Sequence, residues 1–416
     1  MRRISIMTCL IGIIGFFGLA FGQDLGTAPA PPGSESSLAG APGGEMDATA
    51  AFRARVEKTG QTISYGVRDD GRLRKGVAWP NPRFTDNGDG TVTDNLTGLI
   101  WLKDPGCNVC YAGDTPDRSW AAAMKCANRL QNGYCGLSDS SIPGDWRLPN
   151  RKELASLIDY GFYDRALSNT AGTGQWTPGD PFSVVGGAYW SSTTWSEAWG
   201  GSWAFVVEFR EGQSGPNPKS DPRGRWPVRG PNKGAFPARV EKTGQTTSYF
   251  ARDDGRLRKG VAWPNPRFTD NRDGTVRDNL TGLIWLKDSG CTTFFEGDPR
   301  EYNSRRWLAA LVSANRLKDG YCGLTDGSAP YDWRLPNVKE LESLVDFEFD
   351  VPDTAGTGKW SEGDPFLHVI QKDRYWSSTT AAHSTDEAWY GPIPDHYRGL
   401  RKKKGNLRVW PVRGPR

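Results

Sequence analysis

Residues 83–104 read RFTDNGDGTVTDNLTGLIWLKD, and residues 267–288 read RFTDNRDGTVRDNLTGLIWLKD. Sliding the chain against itself by 184 positions aligns Phe52 to Asp104 with Phe236 to Asp288, and 47 of those 53 positions agree. Later landmarks return in the same order: WRLPN at 146 and 333, YWSSTT at 189 and 375, WPVRG at 226 and 410. Self-similarity on this scale marks two copies of one structural unit, and roughly 180 residues is a comfortable size for a domain with its own core. The reading is a first repeat domain over 51–230, a linker over 231–235 and a second repeat domain over 236–416.

Each copy mixes helix and strand signals. FTDNGDGTVTD sets turn residues between short β-prone runs and predicts a hairpin feeding the apolar strand Leu99 to Leu102. Trp120, Ala123, Met124, Ala127 and Leu130 form a helical stripe that Trp307, Ala310, Leu311, Ala314 and Leu317 repeat. After WRLPN, Asn150 is placed to cap a second helix with Glu153 reaching back, and Leu154, Leu157 and Ile158 face inward; Asn337, Glu340, Leu341, Leu344 and Val345 do the same in the second copy. Trp203, Phe205, Val207 and Phe209 alternate with Ala204, Val206 and Glu208, the period of a half-buried strand. Pro392 and Pro394 predict that the matching strand of the second copy is shorter or looped out. The expected class is α+β, each domain having two helices and a small, mostly antiparallel sheet.

The chain opens with Arg2 and Arg3, an apolar run from Ile4 to Phe17 and the small-residue box Ala20-Phe21-Gly22, so 1–22 reads as a signal peptide. No second long apolar run follows, and membrane insertion is not expected. Residues 23–50 are rich in Ala, Pro, Gly and Ser and read as a disordered tether. Losing Cys9 with the leader leaves six cysteines bound for an oxidising compartment, the arithmetic of a disulfide framework. Cys107 and Cys135 have counterparts in Cys291 and Cys322, whereas Cys110 and Cys126 are both absent from the second copy. The expected bridges are therefore Cys107–Cys135, Cys291–Cys322 and Cys110–Cys126. A zinc site on the CxxC at 107–110 is disfavoured, because only one of those cysteines recurs. The formal charge of +4 at pH 7 includes Arg2 and Arg3, and such near-balance argues against nucleic acid as a partner.

The ordered set of RFTDNGDGTVTDNLTGLIWLKD, the Trp-started helix, WRLPNRKEL, YWSSTT and the closing PVRG resembles the domain at the C-terminus of the Legionella collagen-like adhesin, across nearly all of both copies. That resemblance implies an exported bacterial protein and an association with sulfated glycosaminoglycans. The Trp-started helix followed by RLP is also similar to formylglycine-generating enzymes, which implies a C-type-lectin-like fold for each copy.

Catalytic chemistry finds little footing. His368, His383 and His396 all lie in the second copy, so no histidine-based triad exists in both, and neither copy has a late cysteine of the formylglycine-generating kind. Asp86, Asn87, Asp89, Asp94 and Asn95 are oxygen-rich but lack the spacing of a calcium loop, and a turn-rich hairpin accounts for them. The sugar-site triplets of calcium-dependent lectins are absent. No enzyme activity, metal or cofactor is expected. Eighteen Trp offer more: eight pairs recur between copies, among them Trp199 with Trp389, and read mainly as core. Trp195, Trp199 and Trp203 cluster in the first copy as a candidate aromatic patch for sugar rings. Arg398, Arg401, Lys402, Lys403, Lys404 and Arg408 fall within eleven residues of the second copy as a candidate polyanion site. The expected function is an exported, non-enzymatic adhesion or binding protein, located in the periplasm, at the cell surface or outside the cell, that recognises an acidic or sulfated polysaccharide. The alternative is a structural or protein-interaction module of the cell envelope.

Overall fold

The computed structural model describes residues 54–109, 118–196, 199–295, 303–370, 373–391, 393 and 396–414. The expected leader and tether lie outside these residues. So do Cys110, Pro392 and Pro394.

Each repeat is built from two antiparallel sheets and a few short helices. In the first, β1 (Phe84–Asp86), β2 (Thr91–Asp94), β3 (Ile100–Leu102) and β7 (Val228–Arg229) form one sheet in that order. The second sheet is β4 (Ala188–Thr194), β5 (Trp203–Glu208) and β6 (Ser214–Pro218). The helices are α1 (Asp70–Leu73), α2 (Trp120–Arg129) and α3 (Arg151–Ala155). The second repeat copies this plan. One sheet holds β8 (Phe268–Asp270), β9 (Thr275–Asp278), β10 (Ile284–Leu286) and β14 (Val412–Arg413). The other holds β11 (Tyr375–Ala381), β12 (Ser384–Gly391) and β13 (Gly399–Lys402). Its helices are α4 (Asp254–Leu257), α5 (Trp307–Arg316) and α6 (Val338–Ser343). Among the described residues no helix is long and apolar enough to cross a membrane.

Local chemistry explains the elements. The hairpin pairs Phe84 with Asp94, and behind it Arg83 chelates the Asp94 carboxylate at 2.9 and 3.2 Å with both side chains fully buried; Arg267 and Asp278 repeat the lock. Gly90 must be glycine, because its φ is +85° and a Cβ there would lie 2.5 Å from the Gly136 carbonyl. On α2 the stripe Trp120, Ala123, Met124, Ala127 and Leu130 is buried, as is its counterpart on α5. α3 opens with the expected capping box: Asn150 Oδ1 accepts from the Glu153 N–H, and Glu153 accepts from the Asn150 N–H. Arg147 then takes both carboxylate oxygens of Glu153 at 2.6 Å. Cys107–Cys135 and Cys291–Cys322 close loops of 28 and 31 residues. Cys126 is also in a disulfide.

Four expectations are corrected. Each repeat has two antiparallel sheets and a third, four-residue helix, α1 or α4, where two helices and one small sheet were expected. β5 is buried on both faces, not one: Ala204 and Val206 pack with α2, while Val207 and Phe209 join the main core of the first repeat. β12 is not shortened; at eight residues it is longer than β5, and Pro392 and Pro394 come after its end. The partner of Trp389 is Phe205 rather than Trp199, because Val206 pairs with Trp190 where Tyr390 pairs with Trp376.

The two repeats pack as one unit through reciprocal arms. Residues 54–80 and 238–264 differ at only three of 27 positions, and each reaches onto the opposite repeat. The Gln61 amide donates to the Thr380 carbonyl at 2.7 Å and accepts from the Thr380 N–H at 3.0 Å; Gln245 grips Thr194 in the same way at 2.6 and 3.0 Å. Asp70 accepts from Thr59 of its own arm and Thr379 of the other repeat, and Asp254 accepts from Thr243 and Thr193. Lys339 pairs with Glu57 at 2.8 Å and Lys152 with Glu241 at 3.0 Å. The cores interlock as well: Phe205 packs in the core of the second repeat, and Val338 and Trp389 pack in that of the first.

Candidate functional site

The basic run of the second repeat does not act as one surface. Arg398 is fully buried, its guanidinium on Glu342 and donating to the Gly212 carbonyl at 2.8 Å. Arg408 pairs with Asp373 at 2.7 Å. Lys403 lies 3.8 Å above the Trp307 ring and 5.4 Å from that of Tyr65, donates to Thr380 Oγ1, and is brought down to about 8 by burial. Lys219 holds the same position over Trp120 and Tyr249 of the other pair, also near 8 through burial, so this lysine is a repeated packing feature. Arg401, Lys402 and Lys404 remain exposed along and just after β13, with Lys402 in register with Glu387.

The aromatic patch is likewise more internal than expected. Trp195 and Trp203 meet edge to face at 6.1 Å, both half-buried, and Trp195 packs against the core of the second repeat. Trp199 lies in a 3-10 turn, and its side chain is outside the described residues. Trp195 thus joins the first repeat to the second.

The three histidines occupy separate places. His396 is buried against Phe347 with Nε2 3.0 Å from the Asp346 carbonyl, and burial pushes its pKa down to about 3. His368 pairs with Asp288 at 2.9 Å, and His383 lies 3.4 Å from Glu387. The oxygen-rich hairpin spends its groups locally: Asp86 holds Lys103, Asp89 accepts from Thr91, and Asp94 holds Arg83.

A basic groove was not foreseen. The linker is pinned to the first repeat: Asn232 donates to the Gly98 carbonyl at 2.9 Å, Ala238 to the Leu96 carbonyl at 3.0 Å, and Phe236 lies against Gly98. Beside it the second arm passes α3, where Asn150 Nδ2 donates to the Lys259 carbonyl at 3.1 Å. Between linker, arm and first repeat opens a groove of about 780 Å³. Lys233, Arg239, Arg258 and Lys259 line it, all exposed. Arg258 is held in place by its donation to the Gly255 and Thr246 carbonyls at 3.0 Å. The one acid in the lining, Glu153, is neutralised by Arg147, and no aromatic side chain lines it. The four cations lie up to 26 residues apart and converge only because the arm crosses the linker. Their charge was the available signal.

The sequence profile of the Lcl C-terminal domain family matches residues 90–229 and again residues 274–413. Among curated proteins and among solved structures, nothing matches the chain. The two matches cover the helices α2, α3, α5 and α6 and every strand except β1 and β8, leaving those two strands and the arms outside. The chain belongs to the Lcl C-terminal domain family and carries that domain twice in tandem.

Proposed function

We propose that this chain is an exported, non-enzymatic binding protein whose tandem repeats recognise an extracellular polyanion, an acidic or sulfated polysaccharide. The observation that carries this reading is the linker groove, where four exposed cations face a cleft whose one carboxylate is already neutralised. Guanidinium and ammonium groups so placed meet sulfate or carboxylate groups spaced along a chain. The exposed Arg401, Lys402 and Lys404 supply a second basic surface, so one polymer engaging both would gain avidity. Single-stranded nucleic acid is disfavoured because the groove has no aromatic ring on which bases stack. A lectin-like scaffold, adhesion and a location beyond the inner membrane belong to the same proposal. A protein-interaction module is the second reading, favoured by Ile63 and Val67, exposed on the first arm where the second arm has Thr247 and Ala251. A glycan array tests the choice. Binding of sulfated or uronic-acid glycans, lost in Arg239→Glu/Lys259→Glu, is expected; binding confined to neutral glycans or to proteins overturns it.

A further inference from the structure

The arms are so alike that each could serve either repeat, yet the contact between the bodies of the repeats is not symmetric. Aligning the helices that follow WRLPN places Arg151 opposite Val338 in the comparison, and Ala155 opposite Glu342. The strand registers, Val206 with Gly215 and Tyr390 with Gly399, make Ser214 the counterpart of Arg398. All three differences meet at one place. Arg151 Nη1 lies 2.6 Å from Glu342 Oε1, Arg398 takes the other oxygen, and Arg151 Nε donates to Ser214 Oγ at 2.8 Å. Ser214 and Arg398 also exchange backbone hydrogen bonds of 3.2 and 2.9 Å, joining the two three-stranded sheets.

We infer that the two repeats are obligate, heterotypic partners: the first repeat is shaped and charged to dock on the second, and not on another copy of itself. If two first repeats docked in this arrangement, each Arg151 would face Ala155, leaving two buried guanidiniums with no acid between them. Two second repeats would keep each Glu342 on its own Arg398 but set Glu342 against Val338 and bring the two Arg398 guanidiniums together. Only the mixed pair places one carboxylate between two arginines. A buried charge without its partner is among the most unfavourable changes a protein interior can undergo. The arms supply affinity common to every pairing, and the Arg151–Glu342–Arg398 cluster supplies the choice. This inference stands apart from the ligand, although the linker groove, walled by the first repeat and the second arm, exists only while the pair is docked.

The test uses the full chain with a specific protease site inserted after the exposed Lys233 and cut only after folding. The nicked halves are expected to co-elute at the size of the uncut chain and to melt in a single transition. Gln61→Ala/Gln245→Ala removes four hydrogen bonds between the repeats while leaving each repeat's interior intact. It should raise the dissociation constant of the nicked halves at least about tenfold. After dilution below that constant and reconcentration with an excess of nicked chain labelled on its first half, the label should enter mixed pairs only. Halves that part on the column, an unchanged dissociation constant in the glutamine variant, or pairs of two first halves would each overturn the inference.

Discussion

Glu342 is the acid on which two buried arginines depend, so its loss should be the most damaging single change at the junction of the repeats. Burial alone would raise the Glu342 pKa, but the charges of Arg398 and Arg151 overcome it and hold the carboxyl below its ordinary value, so it is ionised at pH 7. Glu342→Gln keeps the shape and removes that charge, leaving both guanidiniums without an acid. Breaking a buried pair in this way typically costs about 3–5 kcal/mol. Arg151→Val installs the residue that the second repeat has at that place and leaves Glu342 on Arg398. It forfeits the bond to Ser214 Oγ and the packing of the guanidinium 4.5 Å from the Phe347 ring, which together are worth about 1–3 kcal/mol. The order, with Glu342→Gln worse than Arg151→Val, is the prediction. Urea unfolding at pH 7 with disulfides intact, followed by tryptophan fluorescence, reads it as a shift in midpoint at constant slope. A Glu342→Gln variant within about 1 kcal/mol of the parent would show that the three groups are not coupled as drawn. An Arg151→Val variant that is the worse of the two would do the same.

The buried carboxylates give a pH dependence of definite sign. Burial raises Asp70 and Asp254 to about 6 and about 7 against their threonine hydrogen bonds, and raises Asp159 and Asp346 to about 6. The folded state then holds more protons than the unfolded chain, so stability falls as pH rises through 6–7 and recovers toward pH 5; His396, depressed to about 3, opposes this below about 6.5. The melting temperature should therefore rise from pH 7.5 to 5, and Asp70→Asn/Asp254→Asn should flatten the slope; an unchanged slope contradicts the assignment. Lys403→Ala should lower the melting temperature whereas Lys402→Ala and Lys404→Ala should not, because only Lys403 is packed between rings; equal melting of all three sinks that distinction. Removing the Cys291–Cys322 bridge as a double Ser variant should cost about 3–4 kcal/mol for a loop of 31 residues, read by urea unfolding, and a loss near zero would be inconsistent with it.

Much of the fold was legible because its signals are local. The period of 184 announced two copies, DNGDG announced the hairpin, the Trp120 stripe announced α2, and Asn150 with Glu153 announced the capping box. Comparing the copies gave the Cys107–Cys135 and Cys291–Cys322 bridges. Contacts made across the chain were not legible. Gln61 and Gln245 sit in nearly identical arms, and such likeness cannot say which repeat an arm serves. Arg398 looked like its basic neighbours because Glu342, 56 residues away, and Arg151 of the other repeat gave no sequence sign of meeting it. Trp389 was matched by order along the chain to Trp199, whereas strand register sets it with Phe205. The groove escaped for the same reason, since Lys233 and Lys259 become neighbours only when linker and arm cross.

Elution from immobilised heparin under a salt gradient tests the proposed function most directly, with melting measured in parallel. The parent should be retained and released as salt screens its cations. Arg239→Glu/Lys259→Glu, which alters two exposed side chains of the groove, should pass through at low salt while melting as the parent does. Replacing Arg401, Lys402 and Lys404 by Gln should lower the eluting salt by a smaller step. A groove variant that elutes with the parent would contradict the account.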